Sequence, residues 1–376
     1  MSSKDEFLFK KSALMGTKAG KEILKQGILR EKGYKQFYKY NSNTEDRFQD
    51  FTKRFLLSLH TQIISDPNPV GTMKKFVEET ASADLALEDN KISDIRARLS
   101  KPELLADRVN RILNSNFVKM TFPVLEALFD AASLYYKQNL PIDTKNAIVD
   151  GHLIAIDLSE PMDRIIDRDE DLEYLDDYRL MNPYILEIAR EKISQGGDVM
   201  LRSFEDGFKE ARTGQSIDTK LKMRPDSIND ENMIDCYKKY RAVLGTAGRN
   251  MALNMKPLSE IFSFGMAKAG ESVGCGNEIQ DAIKNGAIKT PSWPLYFFFA
   301  TNDVKRSFEL TMKKSESYLN EARLSLEMLP HDFEYKPFLE FLFLTVGHYN
   351  QYWYNDLNRR DLYPLLHKNL SIPLRI

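Results

Sequence analysis

Apolar residues recur every three or four positions along much of this 376-residue chain. This spacing puts them on one face of an α-helix, as in the run Phe51, Phe55, Leu56, Leu59 and Ile63. A second run contains Leu105, Val109 and Leu113. The strict alternation that marks half-buried strands is missing, as are the Asn-Gly and Asp-Gly turns of tight hairpins. The pattern therefore predicts an all-α fold.

Proline and glycine residues divide the helical pattern into segments. Breaks are predicted around residues 66–69, 140–141, 196–197, 224–226, 290–291 and 329–330, where Pro or Gly–Gly interrupts the periodicity. Between them we expect helices over residues 122–136, 147–158, 184–193, 199–211, 234–255, 295–329 and 338–352. Pro123 is expected in a first helical turn, where its missing N–H costs nothing. The whole chain is predicted to hold about ten helices.

Composition narrows the class of protein. The chain is 42% hydrophobic with a formal net charge of −2, so it can bury a large core, and no charge bias points to nucleic acid. Cys236 and Cys275 are its two cysteines, which excludes a disulfide framework and a Cys-rich zinc site. No apolar run reaches the roughly 18 residues of a transmembrane segment. We therefore expect a cytoplasmic protein.

The first 45 residues differ from the rest. Nine Lys or Arg and two acids, Glu22 and Glu31, lie between Lys10 and Lys39. The segment has no apolar core of a secretory signal, and an organelle transit peptide is not favoured because acids occur near its start. We predict a basic, flexible arm over residues 1–45 and a single all-α domain over 46–376.

Two short acidic clusters stand 118 positions apart in the sequence, and each has its outer residues at i and i+4, on one face of a helix. They are Ser159-Glu160-Pro161-Met162-Asp163 and Asn277-Glu278-Ile279-Gln280-Asp281. Mg²⁺ takes oxygen ligands and usually binds through one or two carboxylates plus substrate phosphates. Two such clusters on facing helices could hold Mg²⁺ against a diphosphate. The acid run that follows the first cluster, 169–177, is predicted to be a solvated loop or helix face.

Further landmarks flank these clusters in a definite order. The segment 147–152 ends in His152 seven residues before Ser159, Gly214-Gln215-Ser216-Ile217-Asp218 follows, and Phe264-Gly265 precedes the second cluster. A Tyr318 to Leu329-Pro330 segment comes last. Residues 100 to 355 thus resemble the trans-isoprenyl diphosphate synthases, whose sister group is the class I terpene synthases. The resemblance implies one isoprenoid-synthase-type helical bundle around a central cavity.

The resemblance also implies roles for single residues. Ser159, Glu160, Asp163, Asn277, Glu278 and Asp281 would bind Mg²⁺; Arg168, Gln215 and Asp218 would be catalytic; and Lys119, Arg168 and Lys284 would bind diphosphate. The substrate would be geranyl, farnesyl or geranylgeranyl diphosphate, and the protein would be a homodimer. Asp281 also fits a later Asp-Leu-Arg-Glu-Gly-Lys segment of the family, so the second metal cluster has an alternative assignment.

Several departures from the family pattern favour a reaction of one substrate over chain elongation with a second. Met120, Phe122 and Asp169 stand where the family has arginines for a second substrate, isopentenyl diphosphate. An apolar side chain cannot hold a diphosphate, and a carboxylate repels it. We therefore expect a class I terpene synthase-like enzyme, in which Mg²⁺ assists ionisation of one prenyl diphosphate and the cation is cyclised or deprotonated. The alternatives are a prenyltransferase, which elongates the chain or transfers the prenyl group to another acceptor, and a catalytically degenerate partner subunit of a prenyl synthase.

Overall fold

The computed structural model of the protein describes residues 32–41, 44–113, 116–167 and 172–370. Across these residues every regular element is helical, which confirms the all-α prediction. The helices are α1 Lys32–Asn41, α2 Thr44–Ser65, α3 Pro69–Thr80, α4 Asp89–Leu99, α5 Pro102–Leu113, α6 Asn116–Tyr135, α7 Ile142–Asp167, α8 Leu172–Ser194, α9 Asp198–Met223, α10 Asp230–Cys236, α11 Lys238–Met251, α12 Leu258–Asn285, α13 Trp293–Thr301, α14 Val304–Glu327, α15 Lys336–Arg360 and α16 Tyr363–Lys368. The described residues thus form more helices than the ten or so expected, because several are short. Short 3₁₀ turns occupy Ala83–Leu85 and Pro225–Ser227.

The predicted breaks fall at or between helix ends, whereas several predicted helix bounds were wrong. The segment 234–255, for example, contains the end of α10 and all of α11, which meet at Tyr237. Pro123 lies inside α6, which begins two turns earlier, at Asn116. The segment 295–329 forms two helices, because Asn302 adopts a left-handed conformation (φ 52°) that ends α13. Asp303 then caps α14, and its carboxylate accepts a hydrogen bond from the backbone N–H of Arg306 at 3.0 Å. An Asn or Asp side chain at this position satisfies an otherwise unpaired N–H of the first turn.

The described residues divide into two compact units. The first is Tyr38–Phe204, and the second combines residues 32–37 with residues from Glu205 onwards. The first unit is built on the antiparallel pair α7 and α8. They approach closely at Gly151, where an added Cβ would lie 3.0 Å from the carbonyl oxygen of Ala189 and 2.7 Å from Ile193. A larger residue at 151 would force the two helices apart.

A buried ion pair holds three helices of the first unit together. Asp177 of α8 is fully buried, and its two oxygens bind Arg98 of α4 and Arg108 of α5, the latter at 2.7 Å. Arg108 is itself 4% exposed. The prediction of a solvated acid run is therefore wrong at Asp177, because arginines 69 and 79 residues earlier in the sequence supply its counter-charge.

The second unit is organised around α12, the longest helix of the described chain, which packs against α11, α14 and α15. A buried polar cluster ties α12 to two of these neighbours. The Asn350 amide nitrogen donates to the Ser272 carbonyl at 2.9 Å and to the Ser315 hydroxyl at 2.7 Å, and the two serine hydroxyls lie 2.8 Å apart. Three helices are thereby fixed at one level.

No helix in the described ranges combines the length and the apolar character needed to cross a bilayer. The assignment of residues 1–45 to a separate arm stays a prediction.

Candidate functional site

Helix α12 presents the second acidic cluster near its C-terminal end. Asn277 and Asp281, one turn apart, are partly exposed, as expected for residues on one face of the helix. The neighbouring helix α15 contacts this turn through Tyr349, whose hydroxyl lies 3.4 Å from Gln280 Oε1. Burial, with a smaller contribution from the charge of Asp281, raises the pKa of Tyr349. This turn of α12 therefore carries two side chains with oxygen ligands, Asn277 and Asp281, and Tyr349 lies beside it.

Glu278, the middle acid of this cluster, points into the protein. It is 7% exposed, and its Oε2 accepts a hydrogen bond from the backbone N–H of Trp293 at 3.0 Å. Burial raises the pKa of Glu278 to about 8, although Tyr237, the Trp293 N–H and Lys239 act in the opposite direction. Near neutral pH a large part of the population therefore carries a protonated Glu278, which is a poor cation ligand.

Gln215 and Asp218 of α9 are brought together by a lysine of α11. Lys239 Nζ lies 2.5 Å from Asp218 Oδ2 and 3.3 Å from Gln215 Oε1. Lys222, one turn after Asp218, approaches its other oxygen at 3.2 Å. Burial alone would raise the pKa of Asp218, but the two lysines outweigh it and hold the pKa below its ordinary value. Asp218 is therefore ionised at neutral pH.

The α9 and α12 groups share their counter-charges. Lys239 and Lys289 both act electrostatically on Asp218 and on Glu278, so the two acids belong to one electrostatic cluster. Cys236 completes it, and its thiol lies 3.5 Å from Asp218. Lys222 and Lys239 thus bind the ionised Asp218 directly, and Lys289 adds to the positive potential that acts on both acids.

Sequence reasoning identified Gln215 and Asp218 but only suggested Lys239. Arg241 and Ala242 stand where the family resemblance implies a Lys-Thr pair, and the sequence offers Lys238 or Lys239 in its place. Lys238 instead binds Asp235 at 2.6 Å, and Arg241 binds Glu210 at 2.9 Å. Lys222 was missed, although its position four residues after Asp218 is a recognisable ion-pair spacing.

The first acidic cluster lies in the first unit, on α7. Ser159, Glu160 and Asp163 are within the helix, but their side chains are outside the described part of the protein. The same holds for the Lys119 side chain on α6, and Arg168 lies outside the described residues altogether. Among the side chains that are described, no three His, Cys, Asp or Glu are grouped so as to hold a metal ion. The arrangement of the clusters 159–163 and 277–281 on facing helices stays a prediction.

Phe122, which stands where the family has an arginine, belongs to the core of the first unit. Its side chain is fully buried and lies 6.1 Å from the Phe51 ring, centroid to centroid. The Arg47 guanidinium lies over the ring, 4.9 Å from its centroid, and this arginine is itself paired with Asp150 at 2.9 Å. Neither group is available to a second diphosphate at this position. Lys284, by contrast, is exposed one turn after Asp281.

No protein-family model matches the chain, and no curated protein matches it either. Solved structures do. A geranylgeranyl pyrophosphate synthetase from the archaeon Geoglobus acetivorans superposes with a TM-score of 0.53 at 12% identity, covering 74% of this chain and 98% of that one. A heptaprenyl diphosphate synthase from Staphylococcus aureus gives 0.52 at 13% identity over 69% and 98%. The chain has the isoprenoid synthase fold.

A third structure with this fold is a polyprenyl synthase from Caulobacter crescentus in complex with calcium and isoprenyl diphosphate. It matches with a TM-score of 0.51 at 10% identity over 74% of this chain and 97% of that one. The predicted fold class is therefore confirmed. At such low identity the similarity concerns the fold alone.

The donor set of α12 fits a hard divalent cation in part. Asn277 supplies an amide oxygen and Asp281 a carboxylate, both partly exposed and one turn apart. Mg²⁺ in phosphate sites keeps several waters and needs only one or two carboxylates, so two oxygen donors are a sufficient contribution from one helix. The remaining ligands would come from substrate phosphates and water.

Proposed function

We propose that the protein is a class I terpene synthase-like enzyme that ionises one prenyl diphosphate with the help of Mg²⁺. The substrate would be geranyl, farnesyl or geranylgeranyl diphosphate, and the allylic cation would be cyclised or deprotonated. The proposal is supported by the fold and by the polyprenyl synthase of this fold that binds calcium and isoprenyl diphosphate.

The observation that carries the choice of reaction is the packing of Phe122. A chain-elongating enzyme must bind a second diphosphate, and this position of the family's pattern is a buried aromatic core residue here. The first diphosphate, in contrast, has candidate partners. Lys239 is held between Gln215 and Asp218 in the same unit as Asn277 and Asp281. A site that keeps its ionising groups and lacks the second anion site favours a reaction within one substrate.

Different residues of the chain would bind the cation and stabilise the leaving diphosphate. Asn277 and Asp281, with Ser159, Glu160 and Asp163 on α7, would hold the cation, which neutralises the leaving diphosphate and thereby lowers the barrier to ionisation. Lys239 would add a fixed positive charge, aligned by Asp218 before the substrate arrives. Preorganised charges of this kind act on the developing anion without having to rearrange during the reaction. Arg168, Lys119 and Lys284 are the further candidate cations.

Turnover assays test the proposal. The purified chain is incubated with Mg²⁺ and geranyl, farnesyl or geranylgeranyl diphosphate, with and without isopentenyl diphosphate, and diphosphate release and organic products are measured. We expect a hydrocarbon or alcohol without isopentenyl diphosphate. A product only in its presence would instead indicate a chain-elongating prenyltransferase. Release that requires some other prenyl acceptor would indicate transfer to that acceptor.

Three variants probe the assignment of roles. Asp163→Ala and Asp281→Asn should each lower turnover by at least 100-fold, because each removes a carboxylate from the cation site, while the far-ultraviolet circular dichroism stays that of the wild type. Asp235→Asn neutralises a carboxylate that pairs with Lys238 instead of Lys239 and serves as the charge-matched control. Equal activity of Asp163→Ala and the control would refute the metal role of α7.

One observation favours a second candidate, a catalytically degenerate partner subunit of a prenyl synthase. Glu278, which would be a metal ligand, is buried and bound to the backbone of Trp293. A helix that turns one of its three ligand candidates inward binds Mg²⁺ less well. Absence of diphosphate release from any substrate, together with activation of a co-expressed prenyl synthase, would select this function.

A further inference from the structure

Three large apolar side chains of the second unit lie at the surface. Phe264 of α12 is 41% exposed, and Leu324 of α14 is 55% exposed. Met328, the residue that follows α14, is 62% exposed. A single exposed leucine is normal in a folded protein, whereas a group of large apolar side chains marks a surface that another segment or molecule covers. The packing of α12 on α14 decides whether these three form one group.

Two contacts show how α12 and α14 pack. A Cβ added to Gly265 would lie 2.6 Å from the Ser325 hydroxyl, and Lys268 Nζ lies 2.8 Å from a carboxylate oxygen of Glu321. The residue number rises along α12 as it falls along α14, so the two helices are antiparallel. Ser325 is buried, whereas the Glu321 side chain is 39% exposed. The ion pair therefore lies at the outer edge of the contact.

The three apolar side chains continue this outer edge. Phe264 lies one turn before Lys268, on the same face of α12. Leu324 and Met328 follow Glu321 by three and seven positions, on the same face of α14. In the antiparallel register, Phe264 is then level with Leu324. The three side chains thus form one surface, which we call the apolar edge patch.

The described chain begins with a helix that packs on the same unit. The ring of Phe37 in α1 stacks on that of Phe338 at the start of α15, with 6.0 Å between the centroids. Gln36 Nε2 donates a hydrogen bond to the carbonyl oxygen of Glu334 at 2.9 Å. Lys32, the first residue of α1, is therefore held near the start of α15.

The loop between α14 and α15 connects this region with the apolar edge patch. It begins at Met328, and the ring of Phe333 within it lies 5.8 Å from that of Phe262 on α12. Phe262 is two residues before Phe264. Residues 1–31, which lie outside the described residues, therefore join the second unit at the end that carries the patch. An extended chain covers about 3.3 Å per residue, so a few residues suffice to reach it.

The sequence of this segment complements the patch in both apolar character and charge. Residues 10–31 contain six Lys or Arg and two acids. The large apolar residues between positions 14 and 31 are Leu14, Met15, Ile23, Leu24, Ile28 and Leu29. Four exposed acids near the patch form no ion pair with the described residues, and they are Glu327, Asp332, Glu334 and Glu340. Between positions 323 and 340 they outnumber the bases, Arg323 and Lys336.

We propose that residues 14–31 dock on the apolar edge patch, with their apolar side chains on Phe264, Leu324 and Met328 and their basic side chains beside the four acids. The link to α1 makes this docking intramolecular, which favours it over the binding of a separate protein. Asn277 follows Phe264 by thirteen residues, or about 20 Å along α12, so the docked segment leaves the candidate cation-binding turn open.

Labelling of single thiols tests this docking in the full chain. Both native cysteines are buried, so a maleimide added to the folded protein reacts first with an introduced, exposed cysteine. We expect Leu324→Cys to react about 10-fold or more slowly than Leu57→Cys, a control in the first unit at a leucine that is 68% exposed. Leu24→Asp and Ile28→Asp together should remove this protection and leave the rate of Leu57→Cys unchanged. Circular dichroism checks that each variant is folded.

Three results would overturn the proposal. The first is a Leu324→Cys variant that reacts as fast as Leu57→Cys in the otherwise unaltered chain. The second is protection that persists with Leu24→Asp and Ile28→Asp, because something other than the segment then covers the patch. The third is protection that rises with protein concentration, since a second copy of the chain would then be the occupant. Protection by the tethered segment does not depend on protein concentration.

Discussion

The contact between Gly276 and Asn350 gives a quantitative test of how α12 is held. A Cβ at position 276 would lie 2.0 Å from the Asn350 amide oxygen, far inside van der Waals contact. Gly276→Ala must therefore displace Asn350, which is fully buried and donates to the backbone and hydroxyl of Ser272 and to Ser315. The residue next to Gly276 is Asn277, so the displacement acts on the cation-binding turn.

The magnitude follows from three contributions. Overpacking a core position costs about 1 to 3 kcal/mol. Two or three hydrogen bonds of Asn350 are weakened, at about 1 kcal/mol each. Replacing glycine by alanine inside a helix returns about 1 kcal/mol. Gly276→Ala should thus lower the free energy of unfolding by about 2 to 5 kcal/mol, and Asn350→Ala should lower it by about 2 to 3 kcal/mol.

The double variant Gly276→Ala/Asn350→Ala separates a local clash from a general weakening of α12. The new methyl group occupies space that the amide has left, so the double variant should be more stable than the sum of the single effects by about 1 to 3 kcal/mol. Both tryptophans, Trp293 and Trp353, lie in the second unit, so fluorescence-detected unfolding in urea reports that unit alone. Effects that add within about 0.5 kcal/mol would refute the contact.

Gly347→Ala on α15 is the matched control for this cycle. The nearest atom to its added Cβ would be the end of the flexible Leu319 side chain, at 3.2 Å. Because this side chain can yield and alanine favours helix, the control should stay within about 1 kcal/mol of the wild type.

Three further predictions concern other parts of the protein. Asp177→Asn should destabilise the first unit by about 3 kcal/mol, because the buried Arg108 then keeps only the exposed Asp107 as a counter-charge. Asp176→Asn should cost less than about 1 kcal/mol, and thermal unfolding followed by circular dichroism compares the two variants. Burial lowers the pKa of His152 to about 3, below its ordinary value, so only the unfolded state gains a proton as the pH falls from 6.5 to 3, and stability should fall in that window. Urea midpoints of the wild type and His152→Leu between pH 7 and 4 should differ in slope, and parallel curves would contradict this assignment. Asp303→Ala should cost about 1 kcal/mol in the second unit, read by tryptophan fluorescence, because the N-terminus of α14 loses its cap.

Periodicity predicted helices well where one face is buried and the other is exposed. In α2 the residues Phe51, Phe55, Leu59 and Ile63 are buried as the spacing required. It failed at Pro123, where the sequence suggested a helix start. A proline removes one hydrogen bond and crowds the preceding turn, but a helix that is buried along most of its length gains enough from packing to continue through it.

The charged contacts show a clearer limit. Lys222 could be paired with Asp218 from their spacing alone, since residues four apart meet on a helix surface. Lys239, 21 residues away, meets the same carboxylate only because α9 and α11 pack together. Asp177 is more extreme: within a run of acids it looks solvated, and its partners lie on two helices far earlier in the chain. Contacts between helices decide whether such a group is buried, and these contacts cannot be predicted from the residues next to it in the sequence.

The second acidic cluster shows that the number of ligand-type residues in a motif can exceed the number of side chains placed to bind a cation. On α12, Asn277 and Asp281 are separated by about one turn and stay partly exposed, while Glu278 is rotated by roughly 100° from Asn277 and enters the core. Its hydrogen bond to the Trp293 N–H joins the end of α12 to the start of α13, and its raised pKa shows that burial dominates there. The same three residues can therefore serve two purposes at once. The outer pair stays at the surface while the inner acid anchors the helix that carries it, so this cluster offers two candidate cation ligands instead of three.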